Sequence, residues 1–305
     1  MGNNLKVKIA GIEFKNPIIA ASGTFGFGKE YNEFFDVSIL GGISTKGLTF
    51  LPRQGNMGTR IAQTSGGMLN CVGLQNPGVE GFIADDLQFL KNIDTVKIAN
   101  IAGATEQDYI DITRRLNDVD SVDMLELNIS CPNVKAGGMA FGVDPKGVEN
   151  ITKIVKKITN KPLIVKLSPN VANIADNALA AEVGGADAVS LINTITGMAI
   201  DYKKRKPVLG NVIGGLSGPA IKPVALRQVY QAYKAVKIPI IGMGGIMTAG
   251  DVAEFMLAGA VAVMVGSANI FDPYASINII NELTSVLKDC NISNINELVG
   301  ALKID

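Results

Sequence analysis

The chain has 305 residues, of which 28 are lysine or arginine and 28 aspartate or glutamate, so its formal charge is zero. That balance argues against a nucleic-acid partner, which calls for surplus basic residues to neutralise phosphates. With 47% apolar and 18% charged residues, disorder is excluded and there is ample material for a core.

The opening stretch, residues 5–14, alternates apolar and polar residues around Gly11 and predicts a hairpin, a lid or plug ahead of the main fold. Short apolar strands then alternate with helical stretches. The strands are predicted over 18–21, 42–45, 96–101, 124–128, 163–167, 188–193, 238–242 and 261–265, and helices over 105–117, 147–158, 174–183, 224–235 and 251–257. Eight strands separated by helices point to parallel pairing and a closed (β/α)8 TIM barrel. Their continuous apolar character fits strands buried on both faces. The apolar run 255–271 is broken by Gly259, Gly266, Ser267 and Asn269, and reads as a buried strand with its flanks, not as a membrane span. No linker rich in proline, serine or charge divides the chain, and one domain over 1–305 is the expectation, although length alone would also fit two.

Histidine is absent, which removes histidine triads, general bases and metal ligands. Cys71, Cys131 and Cys290 lie far apart, so no metal or cluster site is expected, and an odd, sparse count without a signal peptide points to a reducing cytoplasm. Cys71 and Cys290 read as small buried residues.

In a barrel of this kind, chemistry is carried where strands end and loops begin. Those ends read Ser22-Gly23, Lys46-Gly47, Asn100, Asn128, Lys166, Asn193-Thr194, Gly244-Gly245 and Gly266-Ser267. Strand ends are simply where polarity starts, which accounts for the serines and glycines. Two lysines and three asparagines leaving apolar strands need more, because a lysine at a barrel mouth is costly to hold without an anion or carbonyl. The last two pairs follow strands seven and eight, where barrels frequently bind phosphate with backbone N–H groups; Gly218 could add another donor. A phosphorylated ligand follows, either a substrate or a cofactor such as FMN.

The segment from Asn128 to Asn133 places Cys131 just past strand four, before a glycine-flexible stretch. A thiol there is a candidate base or nucleophile under a movable lid. The uncharged, amide-rich stretch GGMLNCVGLQNPG, residues 66–78, suits a planar amide-containing ligand, or is an ordinary loop. No GxGxxG dinucleotide fingerprint is present.

Taken together, the motifs resemble the class 1 dihydroorotate dehydrogenases, most closely the catalytic subunit of the NAD-linked B type, over essentially the whole chain. The likeness is carried by NPIIAASGTFGFGKEY, STKG, GGMLNCVGLQNPG, ELNISCPNVKAGG, VKLSPN, LINT, GGLSGP, GMGGI and VMVGSANIFDP. It implies a single FMN-binding barrel with inserted loops at its C-terminal face, oxidising dihydroorotate to orotate in pyrimidine synthesis. By the resemblance, Cys131 is the base, and Lys46, Asn70, Asn128, Asn133, Asn193 and Thr194 hold substrate, with Val72, Gly73 and Leu74 along the same loop. Ser22, Lys46, Gly47, Asn100, Asn128, Lys166 and Ile192 would contact the flavin, and Gly218, Gly244, Gly245, Gly266 and Ser267 its phosphate. A cation such as Lys166 would favour the negative charge of reduced flavin. The resemblance further implies a partner subunit carrying FAD and a [2Fe–2S] cluster, on a homodimer core within a heterotetramer. A cysteine at position 131 and a start almost at the barrel disfavour a quinone-linked membrane enzyme. The competing readings are a fumarate-linked type A enzyme, a dihydropyrimidine dehydrogenase-like or tRNA-dihydrouridine-synthase-like flavin barrel, a Schiff-base lyase using Lys46 or Lys166, and a non-catalytic scaffold.

Overall fold

The computed structural model describes residues 4–130 and 141–304. The chain opens with β1 (Val7–Ile9) and β2 (Ile12–Phe14), an antiparallel pair. They turn through Ala10 and Gly11, whose φ angles of 48° and 88° give the left-handed pair that matches the strands' twist. Phe14 is fully buried, and a ring carbon lies 3.0 Å from where a Cβ on Gly42 would sit. Gly42 begins a barrel strand, so the hairpin plugs the N-terminal end of the barrel and is no lid over the strand C-termini.

The barrel strands are β3 (Ile18–Ala20) and β4 (Gly42–Ser44). Between β4 and the next barrel strand come β5 (Ile61–Thr64), β6 (Gly67–Asn70), α1 (Gly78–Gly81) and, after a π-helical turn, α2 (Leu87–Leu90). The barrel resumes with β7 (Val96–Ile101), β8 (Met124–Asn128), β9 (Leu163–Lys166) and β10 (Ala188–Leu191). A second insertion supplies β11 (Ile195–Met198), β12 (Ile200–Asp201), β13 (Lys206–Pro207) and β14 (Ile213–Ser217) before β15 (Ile240–Met243) and β16 (Ala262–Val265) complete the ring. The order β3-β4-β7-β8-β9-β10-β15-β16 closes on itself with every pairing parallel. This is the predicted (β/α)8 barrel, with several strands trimmed by a residue or two at their ends and the seventh running on to Met243 where 238–242 was expected.

The helices α3 (Glu106–Asn117), α4 (Pro145–Lys156), α5 (Ile174–Val183), α6 (Lys222–Ala235) and α7 (Ala249–Leu257) lie outside the strands. In α3 the buried positions Tyr109, Ile112, Thr113 and Leu116, and in α4 Val148, Ile151, Thr152 and Val155, repeat at the helical spacing that buries one stripe. Thr105 and Asp108 form a capping box on α3, and Thr248 and Asp251 another on α7, satisfying free N–H groups of the first turn. The stretch 255–271 comprises the end of α7, β16 and the short α8 (Ala268–Phe271). Among the described residues no helix is long and apolar enough to cross a membrane.

Two features depart from the sequence reading. The final helix α9 (Ala275–Asp289), with Ile279, Ile280, Leu283 and Leu287 buried, covers part of the barrel wall. Cys290, expected inside, is exposed just past its end, because the apolar stripe stops at Leu287. In addition, residues 67–70, read as part of a loop, form β6 of a second, antiparallel sheet in the order β11-β14-β6-β5. Glycine is what lets these strands approach: a Cβ on Gly67 would stand 2.0 Å from the Ser217 carbonyl oxygen, and one on Gly215 2.0 Å from Thr194 Oγ1.

Candidate active site

Between the C-terminal ends of the barrel strands and this second sheet lies a cavity of about 270 Å³. Barrel residues Lys46, Asn128, Lys166 and Asn193 contribute to its walls, and so do Ile61, Met68 and Asn70 of the sheet. Ser22, Gly47, Ile192, Thr194, Gly244, Gly245, Gly266 and Ser267 line it as well, as do Val72, Gly73 and Leu74. Strands far apart in sequence thus bring most of the predicted site residues to one space.

Lys166 ends β9 pointing into the barrel, 4% exposed, and its Nζ donates to Ser22 Oγ at 3.0 Å. No carboxylate among the described residues pairs with it, and none pairs with Lys46. Among the described residues two cations and no aspartate or glutamate line the cavity, an arrangement that calls for an anionic or carbonyl-rich ligand.

At the other end of the cavity the backbone supplies donors. Among the described residues, the N–H groups of Gly245, Ile246, Gly266 and Ser267 donate to no protein acceptor, yet all four residues line the cavity. Gly244 and Gly245 take φ angles of 125° and 78°, backbone that a side chain would strain. A Cβ on Gly245 would also meet the Gly218 carbonyl oxygen at 2.8 Å and Lys222 N at 2.9 Å. The turn is braced from behind. Lys222 Nζ contacts Asp251 Oδ1 at 2.6 Å and Glu254 at 2.9 Å, while Asp251 Oδ2 accepts from the N–H groups of Met247 and Thr248. Burial pushes the Asp251 carboxyl up, but Lys222 and those N–H groups outweigh it and hold it below its ordinary range. Hydrogen bonds to Asp251 and Glu254 raise the Lys222 ammonium correspondingly. Orphan donors converging at the ends of strands seven and eight form an anion cradle suited to a phosphate.

The loop that carries Val72, Gly73 and Leu74 into the cavity is also held from below. Asn76 Oδ1 accepts from the N–H groups of Thr49 and Gly78, and its Nδ2 donates to the Leu74 carbonyl at 2.7 Å. Asn70 Nδ2 donates to the Gly215 carbonyl at 3.3 Å.

Two predicted residues do not line the cavity. Asn100 is fully buried beneath it, its Oδ1 accepting from Asn128 Nδ2 at 3.2 Å. Gly218 stands behind the Gly245 turn. Cys131 and Asn133 lie outside the described residues; Ser130, which precedes them, is buried and hydrogen bonded to both Asn128 and Asn193. The sequence reading missed Met68, Met243 and Met264, which give the cavity apolar walls, and Cys71, buried as expected but lining the cavity. The parity of β15 and β16 carried a signal for Met243 and Met264, whereas Met68 depended on a sheet that was not foreseen.

An α/β barrel with a cationic, amide-rich mouth and unpaired N–H donors at its last two strands has the layout of an enzyme site open to anionic ligands. The sequence model of the dihydroorotate dehydrogenase family matches residues 4–287, and the chain belongs to that family, an oxidoreductase family. A protein of Alkaliphilus oremlandii (strain OhILAs) named dihydroorotate dehydrogenase B (NAD(+)), catalytic subunit, is 58% identical over 98% of this chain and 99% of its own length. Relatives of the same name from Thermoanaerobacter pseudethanolicus (strain ATCC 33223 / 39E) and Geotalea uraniireducens (strain Rf4) are 55% and 52% identical, covering 99% and 98% of this chain and 100% and 98% of their own lengths.

Proposed function

We propose that the chain, as one barrel unit over residues 1–305, oxidises (S)-dihydroorotate to orotate in pyrimidine biosynthesis with FMN bound in the described cavity. The observation that carries this reading is the pairing of an anion cradle with two unneutralised lysines in one cavity, in a chain of this family. The residues fit the group. Four orphan N–H donors suit a phosphate, and Lys166, buried without an anionic partner, suits an electron-rich ring edge. Bound FMN would supply the acceptor for the two electrons that leave substrate C6 as hydride.

Every other task falls to side chains. Lys46 meets the substrate carboxylate, and Asn70, Asn128, Asn133, Asn193 and Thr194 present amide and hydroxyl groups to its ring. Each ring N–H and C=O needs a complementary partner once water leaves. Cys131 takes the C5 proton, so that loss of proton and hydride leaves the C5–C6 double bond of orotate. With no histidine in the chain, a thiol with a reference pKa of about 8.5 is a serviceable base near positive charge. The relatives' names call them catalytic subunits of an NAD-linked enzyme. We assign this chain the same place: a homodimer core whose electrons pass to NAD through a cytoplasmic partner subunit carrying FAD and a [2Fe–2S] cluster.

The test is spectroscopic. The purified chain should be yellow and bleach anaerobically on adding dihydroorotate, yet reduce NAD only when the electron-transfer subunit is added. A colourless chain, or one whose flavin dihydroorotate leaves oxidised, would sink the reading. Rapid turnover with fumarate as sole acceptor would move it to the type A enzymes.

A further inference from the structure

Glu126 sits in the middle of β8, fully buried inside the barrel and below the cavity, with no cation paired to it among the described residues. Its Oε2 accepts from Ser44 Oγ at 2.7 Å and Asn100 Nδ2 at 2.6 Å, and its Oε1 accepts from Ser190 Oγ at 2.6 Å. Four strands of the barrel are tied to this one side chain. A carboxylate offers acceptors only, so the NH2 face of Asn100 must turn toward it and the carbonyl face must turn up toward the cavity floor.

That choice propagates. Asn100 Oδ1 accepts from Asn128 Nδ2 at 3.2 Å, which leaves Asn128 Oδ1 to accept from Ser130 Oγ at 2.9 Å. Ser130 Oγ in turn accepts from Asn193 Nδ2 at 2.6 Å, and Asn193 Oδ1 accepts from the Thr194 backbone N–H at 2.7 Å. The chain therefore runs one way, from a backbone amide that can only donate to a carboxylate that can only accept. An asparagine has donor and acceptor ends of nearly equal size, and on its own nothing in its shape selects one orientation. Here both ends of the chain select it. Asn128 and Asn193 line the cavity; Ser130, Asn100 and Glu126 do not.

We propose that Glu126 is a positioning residue that fixes which amide edge Asn128 and Asn193 present to the ligand. Resting on the function proposed above, this extends it to a residue that touches neither substrate nor flavin. An amide flip at either asparagine would set donor against donor or acceptor against acceptor on the substrate ring, the kind of mismatch that leaves buried polar groups unpaired.

The experiment uses the FMN-loaded chain and orotate, read as the perturbation of the flavin absorption spectrum on titration, well below the melting temperature. Glu126→Gln keeps an acceptor for Asn100 while its amide donates to a serine hydroxyl, which can rotate to accept; orotate affinity should stay within about threefold of wild type. Glu126→Met removes the acceptor and should weaken orotate about tenfold or more, with KM for dihydroorotate rising in step. Three buried donors lose their partner in that variant, so Ser130→Ala and Ser130→Thr provide a second cut that leaves Glu126 in place. Ser130→Ala should weaken orotate about tenfold at unchanged flavin content, and Ser130→Thr should restore it. A merely structural role would lower melting temperature without this rescue by the conservative variants. The inference is overturned if Glu126→Met or Ser130→Ala binds orotate as wild type does, or if Glu126→Gln is as impaired as Glu126→Met. A wild-type flavin blind to orotate would overturn the functional reading and this inference together, a result distinct from either of those.

Discussion

Replacing Gly245 by alanine tests the anion cradle with one methyl group. Alanine at a φ of 78° is strained by about 1–2 kcal/mol. The new Cβ would stand 2.8 Å from the Gly218 carbonyl oxygen and 2.9 Å from both N and Cβ of Lys222. Ordinary contact is about 3.5–4.0 Å, and all three neighbours lie on the braced side of the turn, so the turn itself must move by roughly half an ångström or more. A phosphate oxygen accepting from the N–H groups of Gly245 and Ile246 would lose both bonds at that displacement. Hydrogen bonds to a charged group are worth about 1.5–3 kcal/mol each, so two of them make FMN binding weaker by on the order of 10²–10⁴-fold. The strain is small against the stability of a barrel, and the variant should still fold, with circular dichroism unchanged. The assay is a titration of the apoprotein with FMN and with riboflavin, which lacks the phosphate. In the wild type FMN should bind far more tightly than riboflavin; in Gly245→Ala that advantage should shrink by this factor while riboflavin affinity stays the same. Tight FMN binding by the variant, or an equal loss for both ligands, would refute a phosphate at this turn.

Three further outcomes follow from the same geometry. Lys166→Met should lower the flavin's two-electron potential by about 30–60 mV, as expected for losing a charge-assisted contact to the reduced ring, and should raise the melting temperature of the apoprotein by removing a buried cation that lacks an anionic partner. Cys131→Ala should keep FMN but slow its reduction by dihydroorotate about 10²–10⁴-fold, and Cys131→Ser should recover part of the rate at high pH; wild-type stopped-flow rates in Cys131→Ala would reassign the base. Asp251→Asn should cost about 1–3 kcal/mol, from a helix cap and a partly buried ion pair. Because the Asp251 carboxyl is held low and Lys222 high, the bracing is complete above the ordinary carboxylate pKa of about 3.9 and below the ordinary lysine value of about 10.4. It disappears as pH falls through the lowered Asp251 value or rises through the raised Lys222 value. The melting temperatures of variant and wild type should therefore differ by a constant amount across neutral pH and converge in strong acid; a gap that persists there would show that the carboxylate charge is not the cause.

The barrel was legible because its strands are buried on both faces and so read as unbroken apolar runs, most of them followed by an amphipathic or small-residue helix. That Gly244, Gly245, Gly266 and Ser267 would meet in one space was legible from position, since they follow strands seven and eight at the same end of the barrel. The second sheet was not. Residues 67–70 and 213–217 read GMLN and IGGLS, with no alternation and with glycines that usually break strands. They pair because Gly67 and Gly214 let the two backbones approach where a side chain would collide, while Gly215 leaves room for the Thr194 side chain, a long-range fact no local window contains. Glu126 illustrates the opposite case. Taken alone, a glutamate in MLELN suggests a solvent-facing position, yet side chains two apart share a face. Once Asn128 is placed inside the barrel, Glu126 must be inside too.

Charge at this site is organised by depth, not by total. The chain is neutral overall, yet among the described residues its cavity is lined by Lys46 and Lys166 and by no acidic side chain, while the acid nearest in the strand pattern, Glu126, sits a layer lower with its oxygens consumed by Ser44, Asn100 and Ser190. A cation left unpaired in a low-dielectric pocket attracts an anion far more strongly than one on the surface. A neutral protein can therefore hold a phosphate at one end of a pocket and a carboxylate at the other without becoming a general binder of polyanions. Among the described residues no ion pair joins Glu126 to Lys46 or Lys166. Hydrogen bonds from two hydroxyls and an amide satisfy it instead, and through Asn100 it is tied to the orientation of Asn128.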